Sequence, residues 1–353
     1  MAEDIRMDSH KLIYHPERVT DWLSGKQIYP IEMEVGLSGA CNHRCIFCAV
    51  DYMEYKPNLL SNDILFPNLE LMGKKGLKSI IYAGEGEPLT HPDAPEIILR
   101  TKACGIDAAM STNGVLFTKE KAKSCMMSLS WIRFSIAGAT DETYEKIHQC
   151  RKGDLQRALK NMADAADIKR EQKLTTTLGV QLLLLPENKN EIVPLARMIR
   201  EMGFDYFTVK PFSQHPSSKA KLTVDYSEAE EIGREAREFE TESFKVYFRS
   251  KSIENLNMEK PYTSCEGVNF MTYLDASGNL FPCIVFMGQE DFIYGNLHEQ
   301  TFPEIWESKR AKKIRAVFDN EFIHAHCRKT CRLDEINKYL HALKHPGTHV
   351  NFI

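Results

Sequence analysis

The sequence predicts an α/β protein, a partial (β/α)6 TIM-like barrel followed by a small α+β extension at its C-terminal end. Two observations support this prediction. Apolar segments with strand character alternate six times with helical segments, which is typical of parallel sheets with right-handed crossovers. After the sixth unit the pattern stops, and four cysteines follow in the last third of the chain. Because no seventh unit follows, we expect the barrel to be open.

The predicted elements follow one another in a regular order. The first helix begins after Ser61-Asn62-Asp63, a strong N-cap signal. The strands are predicted at 31–37, 77–83, 106–111, 131–137, 178–185 and 206–210, and the helices at 62–75, 94–103, 118–127, 141–148, 154–171 and 191–202. The expected divisions are an N-terminal extension (1–30), the barrel (31–215), a linker helix and strand (216–260) and a C-terminal domain (261–353).

Composition excludes several functional classes. The 353 residues carry a formal net charge of -4, which gives no electrostatic reason to expect nucleic acid or an anionic membrane. No apolar run approaches the roughly 18 residues needed to cross a bilayer, and the polar N-terminus lacks the apolar core of a signal peptide. The ten cysteines therefore indicate a reducing compartment and metal ligation, and we expect a cytoplasmic protein.

Short polar or glycine-rich segments follow most of the predicted strands. Any one of them could be an ordinary turn, but this explains less well why they recur at one edge. In barrels of this kind the chemistry lies at the C-terminal strand ends. The segments are the cysteine loop after the first strand, Gly84-Glu85-Gly86-Glu87-Pro88, Ser111-Thr112-Asn113-Gly114, Ser135-Ile136-Ala137-Gly138 and Lys210-Pro211-Phe212-Ser213-Gln214-His215.

Three cysteines lie within eight residues of the first segment: Cys41, Cys45 and Cys48. An iron–sulfur cube offers four irons to thiolates, and this run supplies three ligands. The fourth iron would keep an open position, as a catalytic metal does. Zinc and incidental thiols are the alternatives, but zinc sites usually pair cysteines in knuckles and add two more ligands at a set distance.

The C-x3-C-x2-C spacing, with Phe47 directly before the last cysteine, resembles that of the radical S-adenosylmethionine (SAM) superfamily. The resemblance covers about residues 31–212. It implies a [4Fe–4S] cluster on Cys41, Cys45 and Cys48, with SAM chelating the open iron through its amino and carboxylate groups. It also implies that Phe47 lies by the adenine.

The resemblance extends to the remaining strand ends. Gly84, Gly86, Glu87 and Pro88 match a Gly-Gly-Glu-Pro element that receives the SAM amino group, with Glu85 inserted here. The resemblance implies that the later strand ends contact the ribose and carboxylate of SAM. A strand glutamine can equally be structural. These later candidates are Ser111, Asn113, Ser135 and Gln181.

A second cysteine set follows in the last third. Its C-x12-Gly-x4-C pattern, with Gly278 in a turn between two short strands, resembles the SPASM/twitch extension of radical SAM enzymes. Four thiolates can ligate one further cluster, so the resemblance implies a second, auxiliary [4Fe–4S] cluster of the single-cluster twitch form. Zinc remains an alternative for two cysteine pairs. The set is Cys265, Cys283, Cys327 and Cys331, the last two expected at the start of a helix reaching residue 343; Cys104, Cys125 and Cys150 are interpreted as buried free thiols.

The resemblance implies a chemistry. One electron from the first cluster splits SAM into methionine and a 5′-deoxyadenosyl radical, which abstracts hydrogen from the substrate. Loss of a proton and an electron from a carbinol carbon then gives a ketone, with the second cluster as acceptor. The pattern resembles the twitch-containing 2-deoxy-scyllo-inosamine dehydrogenases, including the 17-residue gap between Cys265 and Cys283. The spacing Cys327-x3-Cys331 departs from that of these dehydrogenases, so the resemblance does not imply the same substrate.

Three function classes remain open. The first is a radical SAM oxidoreductase acting on a sugar, aminocyclitol or nucleotide-sugar, with a redox-neutral epimerase or lyase as its variant. The second is a peptide maturase, and the third a non-enzymatic iron–sulfur or zinc protein. The short stretch before Cys41 favours a small-molecule substrate over a peptide. A flavodoxin- or ferredoxin-type electron donor is expected. The candidate catalytic residues are Lys210, His215 and Arg249, with Ser213 and Gln214 beside them; a solvated loop is the alternative.

Overall fold

The structure, a computed structural model, describes residues 9–318 and 320–352. The strands of this part are β1 (Glu32–Val35), β2 (Ser79–Tyr82), β3 (Asp107–Thr112), β4 (Leu129–Ser135), β5 (Thr177–Leu184), β6 (Tyr206–Pro211), β7 (Lys245–Phe248), β8 (Met271–Leu274), β9 (Asn279–Phe281) and β10 (Gly295–Asn296). The α-helices are α1 (Pro16–Leu23), α2 (Asn62–Lys74), α3 (Ala94–Ala103), α4 (Lys119–Cys125), α5 (Asp141–His148), α6 (Asp154–Gln172), α7 (Ile192–Glu201), α8 (Ala229–Arg237), α9 (Ser250–Glu254), α10 (Phe302–Glu307), α11 (Lys309–Ala316), α12 (Asn320–His326) and α13 (Asp334–Lys344).

All ten strands belong to one sheet, in the order β10-β9-β8-β1-β2-β3-β4-β5-β6-β7. Strands β1 to β7 run parallel in chain order, and β8 pairs parallel with β1 on its other side. Strands β9 and β10 are antiparallel additions. The sheet ends at β10 and β7, which do not pair with each other, so the barrel is open. The predicted α/β fold with a C-terminal extension is confirmed.

The sheet has more parallel strands than the six predicted for the barrel, and one of them lies in 216–260, where a linker helix and strand were predicted. Helix α8 and strand β7 form a seventh unit, and β7 pairs parallel with β6 through Tyr206↔Lys245 and Phe207↔Val246. Only four residues make up β7, and alternate residues are buried, so the sequence gives a weak strand signal. The predicted helix beside the last two cysteines also differs, since α13 begins at Asp334, after Cys331.

Side chains alternate between the two faces of the parallel strands, and this alternation positions the site. On β1, Met33 and Val35 are fully buried in the core beneath the helices, whereas Glu32 and Glu34 take the other, inward parity. On β4, Ile132 and Phe134 face the helices and Arg133 faces inward. Apolar burial therefore fixes the outer layer and leaves the barrel interior free for polar residues.

Segments from near both ends of the described chain pack together beside the N-terminal ends of β1 and β8. Leu12 and Val19 pack with Phe270 and Leu340 in a small separate apolar cluster. The extension enters the sheet directly through β8, with Tyr273 opposite Glu34. None of the helices in the described ranges is long and apolar enough to cross a membrane.

Candidate functional site

The first cysteine loop follows β1 and is held by the loops that follow β2 and β3. The backbone N–H of Glu87 donates to the Ala40 carbonyl at 2.9 Å. The Asn113 side chain donates through Nδ2 to Oδ1 of Asn42 at 2.7 Å. The predicted SAM-binding segments therefore contact the cysteine loop directly.

Close backbone approach explains one of the glycines between β2 and Glu87. A Cβ atom at Gly86 would lie 2.2 Å from the Ser38 carbonyl oxygen and 2.3 Å from that of Ala40. Any larger residue would push the cysteine loop away, because the obstructing atoms belong to backbone. Gly84 adopts φ +106°, a conformation that L side chains rarely take.

Glu87 is buried and already bonded within the protein. Its carboxylate accepts hydrogen bonds from the Thr112 hydroxyl at 2.6 Å and from the backbone N–H groups of Asn113 at 2.8 Å and Leu89 at 3.2 Å. Burial raises its pKa, and these donors oppose the rise. A carboxylate has about four acceptor positions, so about one is left for a ligand. Its first role is to tie the end of β2 to the end of β3.

Glu85, the residue inserted into the glycine pair, connects the barrel to the extension. Its Oε1 accepts the backbone N–H of Ala276, in the turn between β8 and β9. Burial raises the pKa of this carboxyl to about 7. The departure from the usual motif thus joins the two cysteine-bearing regions.

The thiols of the first set are desolvated and receive hydrogen bonds from different groups. Burial raises the pKa of Cys41 to about 12 and that of Cys45 well above its ordinary value; the other two thiols of the set contribute next to the Cys45 shift. The backbone N–H of His43 donates to Cys41 Sγ at 3.4 Å, and hydrogen bonding with Tyr55 opposes the rise that burial causes in the pKa of Cys48. Such thiols become ligands only when a cation stabilises the thiolate.

His148, which was not predicted as a site residue, lies at the end of α5 and is buried. Its Nε2 accepts the backbone N–H of Ala137 at 3.1 Å, and burial lowers its pKa well below the ordinary value. The ring is therefore neutral with its proton on Nδ1, which faces Cys45 Sγ at 3.1 Å. A single histidine at a helix end carries no recognisable sequence signal for this contact.

A small polar cluster lies behind the same loop. His43 is 1% exposed, and its Nε2 lies 3.4 Å from Asp154 Oδ2. Ligand atoms of His43, Cys150 and Asp154 lie within 4.8 Å of one another, as do those of His43, Cys45 and His148. Cys150, interpreted above as a free thiol, is therefore close to the site without belonging to its loop.

The four cysteines of the second set come together from separate segments. Cys265 precedes a short 3-10 helix, Cys283 follows β9, and Cys327 and Cys331 lie between α12 and α13. Burial raises the pKa of the Cys283 thiol well above its ordinary value, and the charges of the other three thiols raise it further. The predicted set is thus spatially one group.

Polar contacts also surround the second set. Asn337 on α13 donates through Nδ2 to Cys265 Sγ at 3.2 Å, and the Leu333 N–H donates to Cys331 Sγ at 3.4 Å. The Cys331 N–H donates to Asp334, whose other oxygen accepts from Lys260 at 2.7 Å. Asn337 and the Lys260–Asp334 pair were not identified from the sequence.

Sulfur spacing tests which metal group each set fits. Tetrahedral zinc with Zn–S bonds of about 2.3 Å needs sulfurs about 3.8 Å apart. Among the described residues, no three thiols of either set have sulfurs all within 4.8 Å of one another. A cube with one thiolate on each corner iron tolerates this wider spacing. Both donor sets fit an iron–sulfur cluster better than a single zinc ion.

Of the other predicted residues, Ser111 and Ser135 lie at the carboxyl ends of β3 and β4, whereas Gln181 lies within β5 and Phe47 in the cysteine loop. Ser111 is opposite Arg133 and Ser135 is opposite Gln181 on neighbouring strands, and Phe47 packs edge-on against His148 at 5.7 Å.

Lys210 lies near the end of β6 and Arg249 directly follows β7. His215 differs from them, since it is 1% exposed, stacks on Tyr52 and accepts the Ser217 N–H at Nδ1.

Comparisons with known proteins agree with this arrangement. Residues 35–199 match the model of the radical SAM superfamily, and residues 265–332 match the SPASM iron–sulfur cluster-binding domain. A radical SAM domain implies a [4Fe–4S] cluster and SAM, and a SPASM domain implies auxiliary iron–sulfur binding. The predicted cofactors are thereby confirmed as classes.

Similar proteins span most of the chain. An AdoMet-dependent heme synthase of Methanosarcina barkeri is 25% identical over 82% of this chain and 85% of its own. A probable GTP 3′,8-cyclase of Saccharolobus solfataricus is 25% identical over 72% of this chain and 83% of its own. The crystal structure of Streptococcus suis SuiB bound to S-adenosylmethionine superposes with a TM-score of 0.65 at 17% identity, covering 86% of this chain and 72% of that one.

The structural likeness to SuiB shows a shared fold. The narrower resemblance to 2-deoxy-scyllo-inosamine dehydrogenase stays a prediction. Together, the two family matches, the open parallel barrel and the two thiol groups show that the chain contains a radical SAM domain followed by a C-terminal SPASM domain.

Proposed function

We propose that this enzyme oxidises a small hydroxylated substrate, such as a sugar, aminocyclitol or nucleotide-sugar, converting a secondary alcohol to a ketone. When loaded, the first cluster would supply the electron that splits SAM into methionine and a hydrogen-abstracting 5′-deoxyadenosyl radical, and the second would accept the electron that the substrate loses. The observation that carries the proposal is the pairing of a three-thiol loop with a separate, buried four-thiol group on one sheet.

In this proposal each group of residues has one task. Cys41, Cys45 and Cys48 hold the first cluster and leave one iron to SAM. The strand-end segments bind SAM, with Glu87 using its remaining acceptor position for the amino group. The second cluster is held by Cys265, Cys283, Cys327 and Cys331.

The candidate catalytic residues divide into two kinds. Lys210 and Arg249 are suited to contact the substrate, because both lie at the carboxyl edge of the sheet. His215 is better suited to hold the cysteine loop against the extension, because its ring is sealed between Tyr52 and neighbouring backbone. We therefore propose no proton-transfer role for His215.

Two of the relatives are named for haem synthesis and GTP cyclisation, both involving small molecules, which supports a small substrate. All ten cysteines are free thiols, which supports a reducing, cytoplasmic location and a flavodoxin- or ferredoxin-type donor. A peptide substrate is the competing proposal, since a solved structure of SuiB contains a precursor peptide.

Metal analysis of the anaerobically reconstituted protein tests the proposal. We expect about eight irons per chain, and about four in either Cys41→Ala/Cys45→Ala/Cys48→Ala or Cys327→Ala/Cys331→Ala. Cys150→Ala is the matched control and should keep about eight. Tightly bound zinc with only about four irons in the wild-type protein would refute the second cluster and, with it, the proposed oxidation.

A further inference from the structure

Several cationic side chains lie inside the barrel, and among the described residues some of them have no carboxylate partner. Arg133 on β4 and Lys210 on β6 have the inward parity of their strands, opposite to the residues that pack under the helices. Arg328, from the loop between Cys327 and Cys331, reaches the same region, and its Nη2 donates to the Ser213 carbonyl after β6 at 3.0 Å. Three separate elements thus bring positive side chains to one place.

Lys210 is the centre of this group. Burial lowers its pKa well below the ordinary value, and its largest charge interactions are all with arginines: Arg133, Arg328, Arg332 and Arg249. Lys210 has no hydrogen bond or ion pair within the part of the chain that the structure describes. The residue as a whole keeps partial exposure.

The neighbouring arginines are also incompletely satisfied. The Nε atoms of Arg133 and Arg328 are buried and have no hydrogen-bond partner among the described residues. Arg332 is different, because Glu34 lies 2.8 Å and Glu32 3.4 Å from its guanidinium nitrogens. The two interior carboxylates are therefore already taken by one arginine.

A second buried lysine shows what a purely structural arrangement looks like. Lys260 lies against Asp334 at 2.7 Å, with side-chain exposures of 12% and 9%. Buried charges are usually paired in this way, because an unpaired one is costly to desolvate. Among the described residues, Lys210, Arg133 and Arg328 have no carboxylate partner of this kind, so an external anion is suited to take that place.

We infer that the substrate of this enzyme is an anion whose phosphate or carboxylate group binds inside the barrel between Lys210, Arg133 and Arg328. Guanidinium and ammonium groups form charge-assisted hydrogen bonds with phosphate and carboxylate groups. This inference rests on the proposed function, because it places the anionic group of the oxidised compound. Arg328 lies between two proposed ligands of the second cluster, so the same contact holds the substrate beside its electron acceptor.

Anion binding to the reconstituted, SAM-loaded protein tests the inference. Inorganic pyrophosphate and citrate serve as the phosphate and carboxylate probes in anaerobic calorimetry. We expect the wild-type protein to bind at least one probe with a millimolar or tighter Kd, and Lys210→Met and Arg133→Met to weaken that binding about tenfold or more. The matched control is Lys102→Met, which removes an exposed lysine paired with Asp107 at 2.8 Å and should leave affinity unchanged.

The same samples separate this inference from the proposed function. Uncoupled formation of 5′-deoxyadenosine reports whether SAM is cleaved, and the control Lys102→Met should retain it within about threefold. Loss of SAM cleavage in the wild-type protein would overturn the proposed function, whereas anion binding is measured independently of it. Failure of both probes to bind the wild-type protein, or equal binding by Lys210→Met and Arg133→Met, would overturn the anionic substrate.

A measurement on the wild-type protein tests the inference even if the variants do not fold. Because Lys210 must be charged to pair with the anion, binding at pH 8 should take up a proton, seen as different binding heats in two buffers of different ionisation enthalpy. Proton uptake supports the inference. Binding without uptake would overturn the role of Lys210 as the charged partner.

Discussion

The two thiol groups of this enzyme are assembled in opposite ways. Cys41, Cys45 and Cys48 belong to one loop, and their positions follow from eight consecutive residues and the strand before them. The four thiols of the second group are up to 66 residues apart and meet only because β8, β9 and the segment between α12 and α13 pack together. Three thiolates from one loop can leave one iron of a cluster without a protein ligand, whereas four thiolates from separate segments can ligate all four irons.

The contacts around the two thiol groups also differ, since those of the first come from neighbouring strand ends and those of the second from residues far away in the sequence. The first loop is held by neighbouring strand ends through Ala40 and Asn42. The second is held by long-range contacts such as Asn337 to Cys265. We therefore expect the first group to determine catalysis and the second to determine both electron acceptance and the integrity of the extension.

The largest expected effect concerns the first group. Cys45→Ala removes one of only three ligands, so we expect 5′-deoxyadenosine formation to fall by more than about 100-fold, because no electron reaches SAM without the cluster. Chromatographic quantification of 5′-deoxyadenosine with excess reductant checks this. The control is Cys150→Ala, whose thiol is nearby but outside the loop. Equal losses of 5′-deoxyadenosine formation in both variants would show that Cys45 is no more important than the nearby Cys150, and would contradict its role as a cluster ligand.

The second group should affect a later step. Cys327→Ala/Cys331→Ala should keep uncoupled SAM cleavage within about tenfold of the wild-type rate, because the first loop makes its own contacts. Folding must be verified by circular dichroism, since metal binding can hold such an extension together. Complete loss of SAM cleavage in a folded variant would mean that the two groups are not separable.

The junction between the two regions predicts a pH-dependent stability. With a pKa of about 7 in the folded protein and about 4.5 unfolded, Glu85 binds a proton only in the folded state between these values. The unfolding free energy therefore falls as the pH rises through this window, by on the order of 3 kcal/mol for complete ionisation. Glu85→Gln keeps the acceptor for Ala276 and avoids this cost.

Thermal unfolding measures this effect. We expect Glu85→Gln to melt several degrees above the wild-type protein at pH 8 and close to it at pH 5. Glu70→Gln, which removes an exposed ion pair with Lys74 on α2, is the control, and its melting temperature should stay close to that of the wild-type protein because surface ion pairs contribute little. A constant difference at both pH values would show that Glu85 does not titrate in this range.

The smallest expected effect compares single hydrogen bonds to thiols. His148→Phe and Asn337→Leu each remove one N–H donor to a cysteine sulfur and one acceptor of a backbone N–H. Such donors favour the more negative, reduced cluster, so each variant should lower one midpoint potential by on the order of tens of millivolts. Redox titration followed by electron paramagnetic resonance (EPR) checks which potential moves. A shift of the same potential in both variants would contradict the assignment of two separate groups.

Much of the fold and the first loop was predictable because local patterns determine them. Apolar alternation gave the six strands and their helices, and the cysteine spacing gave the loop. Strand β7 was assigned to a linker because it has only four residues, of which two are buried, and so short a strand gives little sequence signal without its partner β6. The division at 1–30, 31–215, 216–260 and 261–353 stays a prediction.

The polar residues around the thiols were not predictable in the same way. His148 and Asn337 act through contacts across 103 and 72 residues of sequence, and no spacing rule connects them to their cysteines. The cationic interior depends on the inward parity of Arg133 together with the position of Arg328, which only the assembled sheet and extension reveal. The sequence motif therefore predicts the cysteine ligands, whereas the charged and polar residues around them can be identified only from the folded structure.

In the proposed arrangement, the first thiol group leaves one iron of its cluster for SAM, whereas the second thiol group ligates every iron of its cluster. EPR spectra of the reduced protein, recorded with and without SAM, test it most directly. We predict two cluster signals, of which SAM changes only the one that is absent from Cys41→Ala/Cys45→Ala/Cys48→Ala. A SAM-induced change in the signal that is lost from Cys327→Ala/Cys331→Ala, or no change in either signal, would contradict the account.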